Sequence, residues 1–326
     1  MAWDAGTITS ATPHTALSTK IKALFGGSGV ANWSFVENIP AGTGAGQSGS
    51  ASYSIDVYKC AGSGTDANSS GTDFYVGLRI PVSDGAVASA FVACEDYSPI
   101  ASASNKGMFR RQTANASMNT VPTGAGFWRN DTYSNEAGLN SASMTTSTLN
   151  TSGFSYWIKL TKNMLVWATK VGSTELTHLA MVLDTFVIST TDGCPLVACG
   201  SNVGHCGFSR LPSVVSGNAD QWRAIANFWT RGPLLATSNA VNDGDIWQSG
   251  KMYDSRIMVK STVATASYFQ SGGMRGLMPQ DIIAFKPGGT VGLGDTTVID
   301  GNTWTVIAVN LALGSGDSMH MIVRAN

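Results

Sequence analysis

Phe154-Ser155-Tyr156-Trp157-Ile158-Lys159-Leu160, Thr161-Lys162-Asn163, Met164-Leu165-Val166-Trp167-Ala168-Thr169-Lys170: this stretch decides the fold. Two runs rich in aromatic and β-branched residues flank a short polar reversal, which is the pattern of paired strands. A Gly172-Ser173 turn follows, and Glu175-Leu176-Thr177 opens a third strand that runs on to Leu183. Three consecutive antiparallel strands make a meander.

The C-terminal end repeats the lesson. Asp281 to Ala284, Thr296 to Ile299, Thr303 to Val309 and Met319 to Arg324 are strand segments, and Asp300-Gly301 joins the middle two. Asp-Gly between β-formers predicts a two-residue type I′ reversal, which needs φ > 0 at both central positions. Upstream, Tyr53, Ile55 and Val57 alternate with Ser54, Asp56 and Tyr58, and Phe74, Val76, Leu78 and Ile80 alternate with Tyr75, Gly77 and Arg79. Period two predicts half-buried strands. The small, glycine-rich link over 61–71 reads as a mobile surface loop.

Early in the chain one helix is expected, with Thr12 as N-cap, Pro13 at the first helical position and Gly26 as the stop. Leu17, Ile21, Leu24 and Phe25 form its apolar stripe. Residues 100 to 152 read as irregular and surface-draped. The run Gln221 to Trp229 fits helix or strand equally, and a strand is expected near Ser255 to Lys260. The fold class is therefore mainly β: an antiparallel β-sandwich-like body with one short amphipathic helix over 1–265, and a small C-terminal β-module over 266–326.

Composition bounds the function. Charged residues make up 13% of the chain, about half the usual share of 25%, and the net charge is −1. Nothing acts as a broad magnet for phosphate backbones, so nucleic-acid binding is disfavoured, and Lys20 with Lys22 and Arg110 with Arg111 read as solvated faces. The opening Met1-Ala2-Trp3-Asp4 lacks the charged and apolar regions of a secretory signal, and no apolar run is long enough to span a bilayer. Cytoplasmic synthesis without membrane insertion is the expectation. Asn32-Trp33-Ser34, Asn115-Ala116-Ser117 and Asn150-Thr151-Ser152 are among the matches to the glycosylation pattern, which such a composition produces by chance.

Five cysteines are present. Cys194, Cys199, His205 and Cys206 lack the paired short knuckles of structural zinc sites, so buried thiols are preferred to a metal centre. A disulfide or thiol cluster of Cys194, Cys199 and Cys206, closed within a loop or between subunits after release into an oxidising medium, stays open. Catalytic spacings are missing: there is no G-x-S-x-G elbow, phosphate loop, H-E-x-x-H or EF-hand loop, and Gly26-Gly27-Ser28-Gly29 follows a helix. No catalytic, cofactor-binding or metal residue is nominated, and no enzyme is expected. His178 and His320 fall inside strands as packed neighbours. Trp128 and Trp247, flanked by polar residues, are candidates for an interface or for stacking on sugars.

In the order of its pieces the chain resembles a family of tailed-bacteriophage virion proteins associated with tail and baseplate. The resemblance rests on Met1-Ala2-Trp3 with Gly6-Thr7 and a short helix, on Phe74 to Ile80, and on Tyr156-Trp157-Ile158 through Val166 to Val171. It continues with Cys194-Pro195-Leu196-Val197-Ala198-Cys199-Gly200 as a turn, and with Val298 to Val306 before Ile322-Val323-Arg324. It implies a structural role in the virion, assembled in the host cytoplasm: a ring, collar or fibre-attachment protein of tail, baseplate or neck that contacts copies of itself and neighbouring proteins. Low-charge faces suit such assembly. The competing expectation is a receptor- or glycan-binding tail module using loop tryptophans.

Overall fold

The computed structural model describes residues 1–43, 53–67, 73–81, 89–94, 96–99, 101, 108–110, 145–146, 149, 151–185, 196–201, 204–210, 222–225, 276–277, 280–285, 291–312 and 318–326. In chain order these form β1 (Ala2–Ile8), α1 (Pro13–Ala23), β2 (Trp33–Ile39), β3 (Tyr53–Cys60), β4 (Phe74–Pro81), β5 (Ser89–Cys94), β6 (Asp96–Ser98) and β7 (Met108–Arg110). The central part gives β8 (Thr145–Thr146), β9 (Phe154–Thr161), β10 (Met164–Val171), β11 (Thr174–Thr185), β12 (Leu196–Ser201), β13 (Gly204–Arg210) and β14 (Trp222–Ile225). The last elements are β15 (Gly276–Leu277), β16 (Ile282–Phe285), β17 (Thr296–Ile299), β18 (Asn302–Ala312) and β19 (Ser318–Arg324). The protein is mainly β, with antiparallel pairing throughout and α1 as the helix of the described residues.

The meander predicted from 154–183 is the spine of the largest sheet, ordered β1-β9-β10-β11-β12-β13-β14, with β15 paired to β11. Thr161 faces Met164 across the Lys162-Asn163 reversal. The strand β1, which the sequence reading did not anticipate, adds to the free side of β9, with Ala2 opposite Leu160 and Ile8 opposite Phe154. A second sheet runs β2-β3-β4-β5-β8, and a third runs β16-β19-β18-β17.

The first two sheets share a core. Phe154, Tyr156, Ile158, Leu160, Leu165 and Trp167 from β9 and β10 bury with Tyr58 from β3 and its face neighbours Val76, Leu78 and Ile80 from β4, and α1 adds Leu17 and Ile21. The predicted half-buried β3 is corrected: Ile55, Asp56, Val57 and Tyr58 are all buried. The reason is α1, whose Ser18 reaches Asp56 and Tyr58 on the face that alternation alone would leave to solvent. A polar clip joins the sheets where β2 begins. Trp33 Nε1 donates to Thr161 O at 2.7 Å, Asn32 Nδ2 to Lys162 O at 3.0 Å, and the Cys60 thiol to Lys162 O at 3.2 Å. Asn32 is buried and its Nδ2 is engaged in this clip, which is the fate of the first glycosylation match.

The helix starts where expected, with Pro13 in its first turn, although the Thr12 side chain makes no capping hydrogen bond. Gly26 follows its end at φ 78°. The Asp300-Gly301 turn is formed as predicted, with φ of 50° and 76°. The third sheet covers the outer face of β9–β11: the Thr177 hydroxyl donates to Ile307 O, and Gly294 lies against the Trp157 ring. The segment expected to be a turn at 194–200 is instead strand from Leu196, paired to β11 and β13. Strand pairing to β13 settles Trp222–Ile225 as β, while 226–229 and the strand expected near Ser255 to Lys260 lie outside the described residues.

Candidate functional site

Among the described residues, a dense group of polar side chains lies between α1 and β3. Helical spacing puts Ser18 and Lys22 one turn apart on the same side of α1, and strand spacing puts Asp56 and Tyr58 on the same face of β3. The Ser18 hydroxyl donates to Asp56 Oδ2, and the Tyr58 phenol completes the line by donating to Ser18 Oγ. Asn38 Nδ2 donates to Asp56 Oδ1 at 2.8 Å, and Lys22 Nζ stands 2.9 Å from Asp56 Oδ2. Lys22 also lies 4.0 Å from the centroid of the Phe35 ring, a cation–π distance. It therefore does more than solvate a helix face, contrary to its sequence reading.

This constellation resembles catalytic machinery only by residue type. Ser18 is 1% exposed, Asp56 3% and Tyr58 0%, so a substrate has no route to the hydroxyl in this state. Burial, reinforced by the neighbouring Asp56 charge, raises the Tyr58 phenol above its ordinary value, so it stays a proton donor. What the arrangement does is satisfy a buried carboxylate with three donors and fasten the helix to the sheet.

Three other polar groups lie among the described residues near α1 and β9. At the outer end of α1, the Tyr156 hydroxyl donates to Asp4 Oδ2 at 3.0 Å, and Lys20 lies 3.7 Å from the same carboxylate. The hydrogen bond with Tyr156, then the Asp4 charge, raises the Lys20 ammonium above its usual value. His14 is buried at the start of α1, where its Nε2 accepts the Leu149 N–H at 3.4 Å. Burial lowers its pKa from 6.5 to about 4. On the outer face of β9, Lys159 is fully buried beneath the third sheet and donates to Met1 Sδ at 2.9 Å. Burial pushes its pKa down to about 8, against the raising charge of Asp281 and with the lowering charge of Arg324. Asp281 and Arg324 pair with each other at 2.5 Å.

Of the residues nominated from sequence, Trp128, Trp247 and Cys194 lie outside the described residues. Cys199 and Cys206 do not sit in a loop: they are register partners across β12 and β13. His178 lies in β11, opposite Trp167, and His320 is buried in β19 with Nε2 3.1 Å from Val291 O. Among the described residues no three His, Cys, Asp or Glu side chains gather as a metal would require, and no helix is long and apolar enough to cross a membrane. Sequence reasoning missed Ser18, Asp56, Lys22, His14 and Lys159. The usable signal was a serine and a lysine on one side of a helix, together with an aspartate and a tyrosine on one face of a strand.

No protein-family model matches the chain, and no curated protein matches it.

Proposed function

We propose that the chain is a structural component of a tailed-phage virion, in the tail or baseplate as a ring, collar or fibre-attachment protein, assembled in the host cytoplasm and working through contact surfaces without a reactive centre or cofactor. Its partners are copies of itself and neighbouring tail, baseplate or neck proteins. The observation that carries the assembly half of this reading is β17, the outermost strand of its sheet among the described residues, on which Val298 is 68% exposed. An open strand edge with an exposed β-branched residue is a template for pairing with another chain. The edge strand β2 supports the same conclusion: it carries Phe35 at 40% and Val36 at 36% exposure beside a bulge. The polar group that could suggest chemistry fastens α1 to β3, and the low charge of the chain permits close apposition of copies. The virion half rests on the order of the sequence segments described above.

Two measurements test this together. Electron microscopy of the purified full chain should show closed rings or higher assemblies, and antibody labelling should place the protein on tail or baseplate of purified particles. A protein that stays monomeric at high concentration and is missing from particles is not what is proposed here.

A further inference from the structure

We propose that Cys199 and Cys206 form a cross-strand disulfide, a redox-closed staple on the β12–β13 hairpin from which Cys194 is excluded. The register is the basis: Cys199 stands directly opposite Cys206, between the pairs Ala198–Gly207 and Gly200–His205, and the hairpin closes at Ser201–Gly204. Directly opposed residues of an antiparallel pair have Cα atoms about 4.5 to 5.5 Å apart, within the roughly 4.4 to 6.8 Å that a disulfide spans. The register therefore places the two Cα atoms within that span. It also selects one pairing among the three thiols of this segment, which spacing along the chain does not.

The step is thiol–disulfide exchange with a low-molecular-weight disulfide. One cysteine thiolate attacks a sulfur of that reagent, forming a mixed disulfide and expelling one reagent thiolate. The second cysteine thiolate then attacks the protein sulfur and expels the other. Two protein thiols are oxidised, one reagent disulfide is reduced to two thiols, and the two protons pass to the expelled thiolates. The proposal stands on the hairpin register and holds whether or not the chain belongs to a virion.

The test uses the full chain, reduced and then incubated with oxidised glutathione. Of the five cysteines, two are consumed, so thiol titration should fall to three per chain, with a mass lower by two hydrogens and no covalent dimer. Trypsin leaves 171–210 as one peptide holding Cys194, Cys199 and Cys206. Its fragmentation should break the backbone between Cys194 and Cys199 and show no separated fragments from breaks between Cys199 and Cys206 until a reductant is added. Cys194→Ser should retain the crosslink, and Cys199→Ser should abolish it. Five remaining thiols, a link to Cys194, Cys60 or Cys94, or a disulfide between chains would each overturn the proposal.

Discussion

His14 shows how one buried side chain sets a condition on the whole fold. It is 5% exposed, and its folded-state pKa of about 4 lies below the 6.5 of the free group. Between those values the unfolded chain takes up a proton that the native state refuses. Stability is therefore complete above about pH 6.5 and falls as pH drops towards 4, by up to about 3 kcal/mol for this group. Urea midpoints at pH 7 and pH 4.5 should separate more for the native chain than for His14→Gln, and equal separations would show that this histidine is solvated. Asp56 poses the complementary case. Its carboxylate answers Ser18, Asn38 and Lys22, so Asp56→Ala strands three donors in or near the core. A loss of about 3 kcal/mol is expected from chemical denaturation, because removing one member of a buried polar set leaves the others desolvated and unpaired.

At the scale of elements, the contact between the third sheet and β9 depends on a glycine. Gly294 has φ of 90°, and a Cβ there would lie 2.4 Å from a Trp157 ring carbon. Gly301, in the Asp300-Gly301 turn, has φ of 76° but nothing within 4 Å of its Cβ position. Gly301→Ala should cost about 1 kcal/mol, the backbone penalty alone. Gly294→Ala adds a clash and should cost about 3 kcal/mol or more. Thermal or urea denaturation of both variants measures the difference, and similar losses would mean that Trp157 does not lie against Gly294. The same elements explain what was legible in the sequence. The β9–β11 meander and the Asp300-Gly301 hairpin are local events, encoded by residues that touch across a short turn. The strand β1 was not legible because Ala-Trp-Asp-Ala-Gly-Thr-Ile has little β preference of its own and is held by pairing with β9, far along the chain. A bulge between Phe35 and Glu37 breaks the period-two signal of β2. The Ser18–Asp56–Tyr58 set belongs to no motif, since its members meet only when helix and sheet dock.

For the whole molecule, the decisive feature is that the β9–β11 sheet is covered on both faces, by α1 and the second sheet on one side and by the third sheet on the other. Lys159 reports on the second covering. By alternation it points away from the core of Ile158 and Leu160, where a lysine would ordinarily be wet, yet it is 0% exposed beside Asp281 and Arg324. Burial holds its folded pKa near 8, while the unfolded chain keeps 10.5. Below about pH 8 both states carry the charge and the native state bears the full desolvation penalty. As pH rises from 8 to 10.5 the unfolded state alone retains the proton, the native ammonium has already lost it, and the penalty fades. Lys159→Met, which keeps an unbranched side chain one atom shorter and removes its charge, should therefore stabilise the protein at pH 7 by up to about 3 kcal/mol, with the advantage shrinking towards pH 10.5. Denaturation curves of the two proteins across that range measure it. A constant difference, or none, would mean that Lys159 is in water and that the third sheet does not lie over β9, which would remove the packing that ties 280–326 to the rest of the chain.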